Sequence, residues 1–141
     1  MKISAKTEYA CIAMLELSEQ FASGEPVRIR EIADEHGIPS RFLVQILLQL
    51  KGVGLVTSTR GASGGYRLLR SPEQITLSEV MEAIDGPLAT ASNLDTASPL
   101  SRALHSAWTE ASEAQAALLS GITFADLVAS AAKANEPMYY I

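Results

Sequence analysis

RIREIADEHGIPSRFLVQILLQL, residues 28–50, is the stretch that decides the fold. Ile29, Ile32 and Ala33 share one side of a short helix over 28–36. Gly37 stands where a left-handed residue closes such a helix. Pro39 forbids a continuous helix through its position and suits the start of a new one. Leu43, Ile46, Leu47 and Leu50 then recur at i, i+3, i+4 and i+7, an apolar stripe that Gly52 and Gly54 bring to an end. Two short helices joined by Gly-Ile-Pro-Ser, the second longer and more apolar, predict a helix-turn-helix.

The stripe also assigns the opposite face. With those four residues inward, Arg41, Val44, Gln45 and Leu48 point outward at about 100° per residue. Arg41 and Gln45 lie one turn apart near the helix start, the end that meets base edges when such a helix enters a major groove. Arginine pairs with guanine O6/N7 and glutamine with adenine N6/N7. An ordinary solvated face has the same composition, and Val44 suits either a thymine methyl or local packing.

Leu55-Val56-Thr57-Ser58-Thr59 and Tyr66-Arg67-Leu68-Leu69 read as two strands around the flexible loop Gly61-Ala62-Ser63-Gly64-Gly65. The hairpin directly after the helix-turn-helix makes a wing, with Arg60 at its tip and placed for a narrow minor groove. A phosphate-cradling glycine loop is excluded, because a strand follows the glycines and no Walker lysine is present.

Around this unit the chain reads as helical. Ser4 caps a helix over 5–21 whose inward positions are Ala10, Ala13/Met14, Leu17 and Phe21. Cys11 lies inside it and reads as a small hydrophobe, since nothing basic adjoins it. A helix beginning at Thr76 or Ser78 turns Leu77, Val80, Met81 and Ile84 inward and stops at Asp85-Gly86-Pro87. Leu100, Leu104, Ala107, Trp108, Ala111, Ala114 and Leu118 follow one face of a helix of about five turns, closed by Gly121. The alanines at the centre of that face allow close approach of an identical helix from a second subunit, or of its own domain. Phe124 to Ala134 forms a last helix after Thr123. The expected organisation is a winged helix-turn-helix domain at 1–85, a loop at 86–98, the long dimerisation helix and C-terminal helix at 99–134, and a tail at 135–141. The fold class is mainly α, with a two-stranded β wing.

Length and composition agree. The chain has 141 residues, 48% hydrophobic and 19% charged, enough for one domain with a real core. It has no apolar run of about 18 residues, so no membrane partner is expected, and the start turns polar too soon for a signal peptide. A single cysteine fits a reducing, cytoplasmic setting. The net charge is −5, but residues 28–70 carry seven basic groups against Glu31, Asp34 and Glu35. A local anion-facing patch, or uneven solvated surface, follows from that asymmetry. His36 and His105 lie in separate elements, and neither a Ser/His/Asp set nor paired carboxylates point to an enzyme.

The opening MKISAKTEYA, the run LVTSTRGASGGYRL at 55–68 and ITLSEV…AIDGPL at 75–88 resemble the Rrf-two family of bacterial winged-helix transcription regulators, which includes IscR-, NsrR- and CymR-like members. The likeness covers 1–88 closely and 99–128 more loosely, and the Arg-Gly-x-x-Gly-Gly-Tyr wing is its most specific part. It implies a homodimer with crossed long helices that binds an imperfect palindrome in promoter DNA, usually as a repressor. It places Arg41 and Gln45 in the recognition helix and Arg60 in the minor groove. Ser40, Val44, Lys2 and Arg30 complete the expected DNA-facing set.

Three departures stand out. Many members hold an iron–sulfur cluster on three cysteines, and residues 86–105 contain none, so neither cofactor nor metal is expected. His105 matches a cluster histidine and Glu8 lies near an acidic ligand position, but both read as ordinary residues. Val44 stands where glutamate is frequent, and Arg28 where a capping Ser or Thr is usual. The signal would then come from a small ligand, a regulatory protein or oxidation of Cys11, or the regulator responds to none. The competing reading is a winged-helix protein-interaction module that no longer binds DNA specifically.

Overall fold

The computed structural model describes residues 1–86 and 98–135. Helix α1 spans Ala5–Glu19, and Ser4 caps it by accepting from the Thr7 amide at 3.1 Å. Helices α2 (Ile29–His36) and α3 (Ser40–Gly52) form the helix-turn-helix, with Gly37 left-handed between them at φ 66°. Strands β1 (Val56–Thr59) and β2 (Gly65–Leu68) pair antiparallel, Val56 opposite Leu68 and Thr59 opposite Gly65. Helix α4 spans Leu77–Asp85, α5 Pro99–Ser120 and α6 Phe124–Ala134. This is the expected mainly α winged helix. The expected loop falls largely on 87–97 and the tail on 136–141, outside the described residues.

The core is one cluster. Ala10, Ala13, Met14 and Leu17 of α1 meet Leu43, Ile46, Leu47 and Leu50 of α3, Val80 and Ile84 of α4, and Phe124 of α6. Phe124 is fully buried. A bridge between Thr76 and Thr123 draws α6 in: the Leu77 amide donates to Ile122 O at 2.9 Å and the Phe124 amide to Ile75 O at 3.0 Å. Thr123 and Asp126 close a reciprocal capping box there. The hydroxyls of Ser4 and Thr7 bond the carboxylate of Asp85, tying the start of α1 to the end of α4.

Some details differ from the sequence reading. Helix α1 ends at Glu19, before Phe21, so Phe21 leaves the inward stripe and stays 40% exposed. A 3-10 turn at Pro72–Gln74, capped by Ser71, precedes α4. Val27 pairs with Tyr66 as an isolated antiparallel bridge, so β2 is also bonded to the segment ahead of α2. The side chain of Arg28 does not cap α2, as its type implies.

Gly64 and Gly65 of the wing serve close packing. A Cβ at Gly64 would lie 2.1 Å from Thr59 O, and one at Gly65 would lie 2.5 Å from Val27 O. Gly65 also holds φ at 152°. Only glycine lets the returning strand pass this near to the backbone of 59–60 and 27. Gly64→Ala and Gly65→Ala should each destabilise by about 1–3 kcal/mol through overpacking. Gly52→Ala, with open space around its Cβ, should change stability by less than about 1 kcal/mol, toward gain. Urea unfolding of the three variants checks this; equal losses at all three positions would contradict it.

Candidate nucleic-acid interface

Helix α3 is held in one rotation. Leu43, Ile46, Leu47 and Leu50 are at most 1% exposed. Arg41, Val44, Gln45 and Leu48 are all exposed, as their spacing predicts. The Gln49 amide donates to Ala83 O at 2.9 Å and Ile84 O at 3.2 Å, clamping α3 to the end of α4. At the far end, Lys51 Nζ donates to Ser58 Oγ at 2.7 Å and joins α3 to β1.

The start of the helix is organised by an aromatic platform. Phe42 stacks on Tyr9 of α1 with ring centroids 6.4 Å apart, and the Arg41 guanidinium sits 5.0 Å over the Phe42 ring. The negative face of the ring attracts the guanidinium and gives Arg41 a support at the surface. The sequence reading missed this platform. Phe42 is the residue between Arg41 and the buried stripe, and nothing local marks its partner in α1. Lys6, Tyr9, Phe42 and Gln45 also line a cavity of about 310 Å3 between α1 and α3. Pro39 supplies no side-chain cap to α3, and no acidic residue lies in its first turn. Its first amides and Ser40, the exposed opening residue, therefore present a positive helix end to the surface.

The other expected residues are also at the surface. Arg60 is exposed immediately after β1, in the wing. Arg30 is exposed in the first turn of α2, and Lys2 is exposed ahead of α1. The basic patch is smaller than the residue count implies, because Arg70 pairs with Glu79 at 2.5 Å. On α5, only Leu119 is buried among its 22 residues. Leu100 is 84% exposed, Leu118 66%, Trp108 50% and Leu104 42%, and Ala107, Ala111 and Ala114 are exposed beside them.

The iron–sulfur cluster of many relatives in the resemblance requires several thiolates. Cys11, the single cysteine, is half-buried in α1. Burial, then the carboxylates of Asp85 and Glu8, pushes its thiol up to about 11. That environment opposes a thiolate, and the residues present do not fit such a cluster. Its thiolate fraction at neutral pH is about a hundredfold below that of an ordinary thiol. A disulfide reagent should therefore label Cys11 far more slowly in the folded protein than in denaturant; equal rates would contradict the burial.

Residues 3–130 match the family described as Rrf2, iron-dependent transcriptional regulator. An rrf2-like HTH-type transcriptional regulator of Rhodobacter capsulatus is 46% identical over 89 residues, covering 62% of this chain and 59% of its own length. The HTH-type transcriptional regulator CymR of Bacillus subtilis is 32% identical over 142 residues, covering both chains completely. The solved structure of CymR, described as the global cysteine regulator of that organism, superimposes with a TM-score of 0.83 at 31% identity, covering 92% of this chain and 98% of its own. Fold, helix-turn-helix and family match thus converge, and the chain belongs to the Rrf2 family of transcriptional regulators.

Proposed function

We propose that this protein is a DNA-binding transcriptional regulator that represses promoters by binding a palindromic site as a homodimer. The observation that carries this reading is the rotation of α3. Four apolar residues are locked inward, and Arg41, Val44, Gln45 and Leu48 are turned out with the uncapped helix start. In a major groove, Arg41 and Gln45 would meet base edges, and the amides at Ser40 a phosphate. Arg60 would enter the adjacent minor groove, while Lys2 and Arg30 would contact the backbone. The names of the relatives favour this reading over the interaction module. Because the residues do not suit an iron–sulfur cluster, the signal would come from a regulatory protein or a small ligand. Such a regulator works in the cytoplasm, with the DNA.

The two arginines should fail differently. Arg41→Ala should cost about 1–3 kcal/mol per half-site and relax preference at one base position. Arg60→Ala should weaken binding to many sequences and flatten the dependence of affinity on salt. Selection from a random DNA library, followed by titration of both variants at two salt concentrations, measures the contrast. If neither substitution alters affinity for the selected site, the assignment of α3 fails. If the wild type selects no site, the interaction module replaces this reading.

The dimer would form through α5. Leu100, Leu104, Trp108 and Leu118 offer apolar area, and Ala107, Ala111 and Ala114 let a second α5 come close. Ala107→Glu combined with Ala111→Glu should give monomer or aggregate in light scattering. A wild type that is monomeric at micromolar concentration would contradict the dimer.

A further inference from the structure

Helices α1, α2 and α6 meet around a cluster that shares no residue with the DNA-facing set. His36 Nε2 lies 2.7 Å from a carboxylate oxygen of Glu16 and 4.0 Å from one of Glu35. One donor atom from each of the three lies within 4.8 Å of the others. Together with Glu19 they border a cavity of about 210 Å3, walled on its apolar side by Ile12, Leu15 and Leu127. We propose that Glu16, Glu35 and His36 bind a divalent first-row transition-metal ion of the zinc type.

The donor set suits such an ion. Two carboxylate oxygens and one imidazole nitrogen supply three ligands, and the cavity has room for water to complete the shell. Donors around zinc stand about 3.3 Å apart, given bonds near 2.0 Å in a tetrahedron. The Glu16–His36 pair is already closer than that, and Glu35, largely exposed, is free to swing in. An ion pair alone explains His36 and Glu16. It leaves one imidazole facing three carboxylates, Glu16, Glu35 and Glu19, at the same cavity. A dication balances the two carboxylates while the neutral imidazole contributes its Nε2 lone pair, with any imidazolium proton released to solvent. His36 is also the last residue of α2, whose C-terminal carbonyls favour a cation.

The sequence concealed this cluster because Glu16 and His36 stand 20 residues apart in different helices. The bound ion would cross-link α1 to the first helix of the helix-turn-helix. The test is independent of DNA. The full chain, stripped with chelator, is titrated with Zn2+ by calorimetry. One saturable site per chain is expected, weaker for Mn2+ in the Irving–Williams order. Glu16→Gln, Glu35→Gln and His36→Gln should each weaken Zn2+ binding by about tenfold or more, while Asp34→Asn, a neighbouring carboxylate on α2, should leave it unchanged. Circular dichroism checks each fold, and the exposed Glu35 keeps the test valid if a variant at Glu16 or His36 unfolds. The proposal is overturned if the wild type shows no saturable site, if any folded variant of the three binds as well as wild type, or if Asp34→Asn loses binding equally.

Discussion

A helix can bury only one face, and for α3 that choice orders the rest of the molecule. Leu43, Ile46, Leu47 and Leu50 together remove their side chains from water almost completely. Each such burial is worth about 1.5–3 kcal/mol. Turning the helix over would recover only the partial exposure of Val44 and Leu48, at 41% and 55%. It would also drive Arg41 and Gln45 into an apolar core without partners, at a cost of several kcal/mol. The rotation is therefore set by the core, and the composition of the outward face is left free for recognition. The Gln49 clamp onto α4 and the Phe42–Tyr9 stack add direction to a rotation that hydrophobic burial has already selected.

The same core explains why α5 stands out. The Thr76–Thr123 bridge and the buried Phe124 return the chain to the body, so α6 shares the core with α1. Helix α5, between these anchor points, contributes only Leu119 to the buried set. An apolar stripe on a helix this long is costly to leave in water, and among the described residues nothing covers it. The proposed dimer would answer that cost, and a two-fold pair of α3 helices would suit a two-fold site.

Much of this was legible in the chain itself. Period and punctuation are strong where helices are amphipathic and are bounded by residues such as Gly37, Pro39 or Thr123, so the helix-turn-helix and its outward residues were readable. Less readable were features that depend on distant neighbours. The short turn at Pro72–Gln74 has too few residues for periodicity. Phe21 fits a helical spacing, but the helix stops two residues earlier. Gly64 and Gly65 read as flexible because sequence cannot show that the backbones of Thr59 and Val27 pass beside them. The Arg41–Phe42–Tyr9 stack and the Arg70–Glu79 pair need tertiary contact to be seen, and they change which cations are available at the surface.

The central claim is that the outward face of α3 and the wing form a nucleic-acid interface whose orientation the core dictates. Backbone amide NMR of the isotope-labelled protein, with and without a library-selected duplex, tests it most directly. The account predicts that the largest shift changes fall at residues 40–48 and 60–65, with residues 10–17 little affected. Changes concentrated on residues 100–118 with none on α3, or an unaltered spectrum at saturating duplex, would contradict it.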